Sequence, residues 1–148
     1  MKFVDANMFY YYMFKSTYTE KAATLLKQYH DLATSVGVLD EVIFVIMRRL
    51  AEKRLGIRKI ARLRSYIKSN GVDFALAELE RFIKLVEALD IVILQDYADP
   101  RELLEVVGKY NLPPSDAVIA LTCKHYGIDT ILTFDEDFKR VIWLKIIP

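Results

Sequence analysis

The sequence predicts a single α/β domain, residues 1–148, with a mostly parallel central sheet flanked by helices. Three observations carry that expectation. Short runs of β-forming residues alternate with longer stretches of helical periodicity, and such alternation builds crossover units in which helices cover a parallel sheet. The 148 residues, 53% of them apolar, suffice for one compact core and are too few for two ordinary domains. No internal repeat, low-complexity tract or linker divides the chain.

Lys2 to Val4 reads as a first short strand, ending at Asp5 and followed by an aromatic-rich segment and a helix from about Tyr18 to His30. A second strand is expected within Ala33 to Leu39. Asp40 and Glu41 then open an apolar stretch running from Val42 to Leu55, and acids suit a helix N-terminus because its unpaired N–H groups and dipole favour negative charge. Gly56 and Gly71 punctuate two further helical patterns, Ile57 to Lys68 and Phe74 to Leu89. Ile91 to Leu94 is a third run of β-formers, and Arg101 to Tyr110 is helical until Asn111 and the Pro113-Pro114 pair interrupt it. Proline disfavours helix in the residue before it, so a new helix is expected to start at Ser115 or Asp116 and run to His125, before Gly127. Ile131 to Phe134 reads as a strand, Asp135-Glu136-Asp137 as a polar turn, and Val141 to Ile147 as the source of a last edge strand.

Charge and composition exclude several classes of function. The formal net charge is +1, so attraction to a polyanion has to come from a local patch. The longest apolar run, Met8 to Phe14, falls well short of the ~18 residues of a membrane span. A lone cysteine, Cys123, cannot close an intramolecular disulfide, and Lys2 and Asp5 interrupt what a secretory leader would need as apolar sequence. A soluble, cytoplasmic protein without membrane association is expected. Two histidines, His30 and His125, and one cysteine are too few for a standard zinc site or a nucleophilic triad. The histidines are expected on helix surfaces and Cys123 in the core.

Four acids remain at chemically useful places. In an open parallel sheet, ligands bind beyond the carboxyl ends of the strands. Asp5 and Asp135 directly follow strands, while Glu41 and Asp116 stand at expected helix starts. Carboxylates crowded together raise one another's pKa, and a cation relieves the repulsion. All-oxygen ligands suit a hard ion, magnesium or manganese. Such an ion orients a phosphodiester, acidifies a bound water and neutralises the leaving oxygen. Spacing alone also permits a simpler role for each acid, that of a helix cap.

The combination of motifs is more specific. Phe3-Val4-Asp5-Ala6-Asn7, Ser35-Val36-Gly37-Val38-Leu39-Asp40-Glu41-Val42, Leu112-Pro113-Pro114-Ser115-Asp116-Ala117 and Thr133-Phe134-Asp135-Glu136-Asp137-Phe138, in this order, resemble a PIN domain. Within that family they look most like the VapC-type toxins of prokaryotic toxin–antitoxin pairs. The resemblance implies a metal-dependent endoribonuclease in which Asp5, Glu41, Asp116 and Asp135 hold the metal directly or through water. It further implies RNA products with a 5′-phosphate and a 3′-hydroxyl, a homodimer, and an antitoxin burying hydrophobic surface near the N-terminal helices. Asn7 and Thr133 match polar positions that support the acids, as ligand orientation requires. Asp137 is either a further member of the cluster or a turn acid, and Asp40 is the expected cap of the helix that carries Glu41. No catalytic acid of the pattern is missing.

Two features leave alternatives open. Arg48 to Lys68 holds nine basic residues and one acid, whereas Asp73 to Glu105 holds nine acids and three basic residues. Arg54, Arg58 and Arg62 could grip RNA phosphates, or the segment could be a solvated helical face with ion-pair networks. Phe9, Tyr10, Tyr11, Tyr12 and Phe14 are too many to face one core from a short helix; packing in the core or against a partner competes with stacking on unpaired bases. Rival functions are a catalytically silent PIN-like RNA-binding or assembly module and a small metal-dependent phosphatase. The latter chemistry usually needs a second acid two residues after the first, where this chain has Asn7.

Overall fold

The computed structural model describes residues 1–148. Five short strands, β1 (Lys2–Val4), β2 (Leu32–Ser35), β3 (Val92–Leu94), β4 (Thr130–Leu132) and β5 (Lys145–Ile147), form one sheet in the order β3-β2-β1-β4-β5. Every pairing is parallel, so each connection must cross over the sheet. The helices do so: α1 (Ala6–Met13) and α2 (Thr19–Gln28) after β1; α3 (Val36–Leu55), α4 (Ile60–Asn70) and α5 (Leu76–Ala88) after β2; α6 (Pro100–Tyr110) and α7 (Pro114–His125) after β3. A 3₁₀ turn, Glu136–Arg140, precedes β5.

Both faces of the sheet are covered. Adjacent strand residues point to opposite faces, and Phe3 and Val4 of β1 are both fully buried, as are Ile131 and Leu132 of β4. These residues belong to one continuous cluster with Met8, Phe9, Leu26, Ile46, Phe82 and Phe138. The aromatic segment after Asp5 is therefore the helix α1, whose Phe9 packs edge-on against Phe82 of α5 at 5.3 Å. A satellite cluster of Ala51, Ile57 and Leu63 joins α3 to α4. Only the edge strand β3 presents apolar side chains outward, at Val92 and Ile93.

Several boundaries differ from the sequence expectation. The second strand stops at Ser35, and α3 starts at Val36 rather than at Asp40. Val36-Gly37-Val38-Leu39 reads as strand by local preference, but Ser35 caps the helix by accepting from the Val38 N–H, and Asp96 accepts from the Gly37 N–H at 2.8 Å. A Cβ on Gly37 would stand 2.9 Å from the Asp96 carboxylate, so glycine admits that approach. Glu41 consequently lies in the second turn of α3, and the capping role expected of Asp40 belongs to Ser35. Helix α7 begins at Pro114, since proline's missing N–H costs nothing in a first turn. The strand expected over Ile131 to Phe134 starts one residue earlier, at Thr130, and ends two earlier, at Leu132, because Thr133 turns into a side-chain network. Helix α2 is capped at Tyr29, which leaves His30 in a loop instead of on a helix, while His125 closes α7 with its ring stacked on Tyr97 at 4.2 Å. Cys123 is buried, as expected.

Candidate active site

Strand order reverses at β1. The chain adds β2 and β3 on one side of it and β4 and β5 on the other. At such a switch point, the loops leaving neighbouring strands part and open a crevice at the carboxyl edge. Asp5 leaves β1 into that crevice, and Thr133, Phe134 and Asp135 leave β4.

One hydrogen-bonded network ties the two strand ends together. The Asp5 Oδ1 accepts from the Ala6 N–H at 2.8 Å. Its Oδ2 accepts from the Thr133 hydroxyl at 2.7 Å and from the Asn7 amide at 3.1 Å. The Asn7 amide also donates to Thr133 Oγ1 at 3.0 Å, and its Oδ1 accepts from the Phe134 N–H at 3.2 Å. The Asp135 N–H donates to Thr133 Oγ1 at 3.0 Å, and Asp135 in turn accepts from the Asp137 N–H at 2.9 Å. Asp5, Asn7 and Thr133 are buried, and no buried side-chain polar atom of the protein lacks a partner. A buried network satisfied in this way fixes its members in one arrangement.

The electrostatics bring the remaining acids to the same place. Burial raises the Asp5 carboxyl to about 6, against the pull of the Thr133 and Ala6 hydrogen bonds, and the charges of Glu41 and Asp135 push it further up. Asp116, in the first turn of α7, is also raised to about 6, by burial and by the charges of Asp5, Asp135 and Asp137. Glu41 is raised by desolvation, then by Asp116 and Asp40. Sequence positions 5, 41, 116 and 135 thus share one electrostatic neighbourhood, although no cation lies among the causes of any of these shifts. Asp137 contributes its charge to Asp116 while pairing with Arg140 at 2.9 Å.

Tyr10 is a further residue coupled to the acids, one that the sequence does not single out. Its phenol is pushed up to about 12 by burial and Tyr11, and then by the charges of Asp5, Glu41 and Asp135. The signal was its spacing: Asn7 and Tyr10, three residues apart on α1, share one helix face, but the aromatic run around Tyr10 reads as core.

The basic segment sits in a different environment. Arg54 donates to both Glu78 oxygens and to the Phe74 carbonyl, which staples α3 to α5. Arg58 pairs with Glu52 at 3.3 Å, and Arg62 is exposed beside a groove with Tyr66 and Asn70.

The carboxylates are coupled electrostatically without closing on a point: no three His, Cys, Asp or Glu side chains converge at metal-binding distance. The donor set is all oxygen and carries surplus negative charge. It fits a hydrated magnesium-like ion, which keeps several waters and takes one or two carboxylates directly.

This crevice, on this strand order, defines a class of protein. The PIN domain family model matches residues 2–144, and the chain belongs to the PIN-domain family. Its similarity within the family runs to the VapC ribonucleases. It is 36% identical to ribonuclease VapC2 of Methanocaldococcus jannaschii over 111 residues, covering 74% of this chain and 67% of that protein. Ribonuclease VapC6 of the same organism is 33% identical over 134 residues, 86% of each chain. Among solved structures, Mycobacterium tuberculosis VapC20, a Sarcin-Ricin loop cleaving toxin, superposes with a TM-score of 0.65 at 18% identity over the full length of both chains. At that identity, the superposition speaks for the fold.

Proposed function

We propose that this chain is an endoribonuclease and the toxin of a VapBC-type toxin–antitoxin pair, hydrolysing RNA phosphodiester bonds at the crevice formed by Asp5, Glu41, Asp116 and Asp135. The observation that carries the proposal is the coupling of these four acids, two with carboxyls raised to about 6, around a fully satisfied Asp5–Asn7–Thr133 network. The similarity to two curated VapC ribonucleases supports the substrate class.

A magnesium or manganese ion bound there would polarise the scissile phosphate and supply a water of lowered pKa. Asp5, Asp116, Asp135 and Glu41 would hold it directly or through water. Thr133 and Asn7 orient Asp5, and Thr133 also receives the Asp135 N–H, so one hydroxyl sets two acids at once. Tyr10 presents a phenol that stays protonated at neutral pH and can donate to a phosphate oxygen or an ordered water. Asp137, already paired with Arg140, tunes the field of the cluster.

The phosphatase alternative fares poorly because the Asn7 amide is bonded to Asp5, Thr133 and the Phe134 N–H, with no free acid in its place. The silent-module alternative fares poorly because every acid of the pattern is present. RNA, a second copy of the chain and a cognate antitoxin are the proposed partners, in the cytoplasm; no helix is long and apolar enough to cross a membrane.

The direct test incubates purified protein with single-stranded and hairpin RNAs in magnesium, manganese or EDTA, and maps the product ends. Metal-stimulated cleavage leaving 5′-phosphates is expected. Binding without cleavage in any ion would leave the binding-module reading standing instead.

A further inference from the structure

Beside the acids lies a second cleft that the catalytic reading does not use. It holds about 360 Å³ and is lined by Tyr18, Lys21, Phe134, Asp135, Glu136 and Lys139, with the apolar end of β5 behind them. Asp135 and Thr133 belong to both spaces, so whatever fills this cleft lies against a catalytic acid and the hydroxyl that orients it. The volume is at the small end of ligand sites, which run roughly 300–1,000 Å³.

Its apolar wall is built and held in place. Tyr18 and Phe134 approach to 5.1 Å between ring centroids, and Tyr11 braces both, at 4.9 Å and 5.5 Å. Phe134 is locked to the catalytic network through its N–H, which donates to Asn7. Yet Tyr18 remains 46% exposed, a large aromatic face left open within a braced cluster. Lys21 stands one helical turn beyond Tyr18 on the same face, exposed and outside all five ion pairs of the chain. Lys139 is held at 2.8 Å by Glu136 in an exposed pair, which water and salt loosen readily. An open aromatic face, a free ammonium and an adjoining catalytic acid match the parts of one nucleotide: a base to stack and a phosphate to pair.

We infer that this cleft is a nucleotide subsite, in which the unpaired base next to the scissile phosphate stacks on Tyr18 and Phe134 while Lys21 neutralises its phosphate. This rests on the ribonuclease reading and adds to it a requirement: the substrate must be unpaired beside the cut. It also moves the RNA path from the Arg54, Arg58 and Arg62 segment to the β4–α2 side of the crevice.

The experiment compares two fluorescein-labelled probes by anisotropy, with calcium present to screen the acids: a single-stranded oligouridylate, and the same oligomer carrying abasic riboses. The native chain should favour the base-bearing probe by roughly ten-fold, as one stacked base provides. Tyr18→Leu, with folding checked by its melting curve, should bind both probes alike. Lys21→Gln, at an exposed position that folding does not need, should weaken both probes equally and flatten the log–log salt dependence by about 0.7. If the native chain cleaves RNA but binds both probes equally, or if Tyr18→Leu keeps the preference, the subsite is refuted while the ribonuclease reading survives. A chain that neither binds nor cleaves RNA would refute both.

Discussion

The acidic crevice and the basic α3–α4 segment are two concentrations of charge in this protein, and they are built on opposite plans. In the basic segment, two of the nine basic residues are paired and the other seven lie exposed to solvent. Arg54 is spent on Glu78 and a carbonyl, Arg58 on Glu52, at the surface where the energy involved is small. In the crevice, burial and the like charges of their neighbours raise Asp5, Glu41 and Asp116 together, two of them to about 6. A fold tolerates such a cost where something outside the chain is meant to relieve it. Conspicuous charge along a sequence is therefore a poorer guide to function than charge the fold declines to neutralise.

The sharpest way to break this contrast is to remove one acid and one arginine in parallel. Asp135→Asn keeps an oxygen to accept from the Asp137 N–H and deletes only charge. Its RNA cleavage should fall at least ~10²-fold, the loss seen when one electrostatic group is removed from a preorganised site, whereas Arg54→Gln should leave the rate within experimental error. Asp5→Asn is the less clean choice, because Oδ2 accepts two hydrogen bonds and an amide there would face the Asn7 amide. Equal losses from the acid and the arginine would overturn the contrast.

A smaller effect isolates the network. Thr133→Val removes a hydroxyl that donates to Asp5 and accepts from Asn7 and the Asp135 N–H. Metal affinity by calorimetry should weaken ~10–100-fold, with about 1–3 kcal/mol of stability lost to unpaired buried groups. Thr133→Ser should restore most of both. A valine variant that binds metal normally would show that the hydroxyl serves folding alone.

Next comes a pH dependence with a definite sign. A carboxyl whose folded pKa is raised binds more protons folded than unfolded, so stability declines as pH rises from 3.8 to about 6 and stays lower above that window. No donor offsets the rise at Asp116, where the causes are burial and like charge alone. Asp116→Asn should therefore stabilise the metal-free protein at pH 7.5 by on the order of 1–2 kcal/mol, a few degrees in melting temperature, and should bring no gain at pH 4. Saturating magnesium should stabilise the native chain by ~2.7 kcal/mol at a hundred times its Kd and do less for the variant. The pH dependence fails if the variant's advantage is the same at both pH values. The smallest effect belongs to Arg58→Gln, which should shift stability by less than ~1 kcal/mol at any pH.

The parts of this site legible in the sequence are those whose position follows from a local rule. Asp5 and Asp135 end β-forming runs, and Asp116 follows a proline pair, so strand and helix signals alone bring them to one edge. Glu41 is legible as an acid near a helix start, but its place in the second turn is not, since Val36-Gly37-Val38 favours strand locally and the helix start is held by Ser35 together with Asp96, 59 residues away. Tyr10 was hidden in an aromatic run whose members divide between core and crevice. Arg54 drew attention by its neighbours' charge, while the glutamate that occupies it lies 24 residues downstream. Long-range pairing is what the sequence does not display.

The bond between Asp5 and Thr133 spans 128 positions. A chain made from its amino end presents α1, with Asp5 at its cap, long before β4 exists to complete the crevice. Until Thr133 and Asp135 have been added, Asp5 lacks its hydroxyl partner and the cluster lacks a member, so polypeptides interrupted earlier carry no assembled centre. Order of synthesis therefore sets when this cluster can assemble, which is not before its last members, Thr133 and Asp135, have joined the chain.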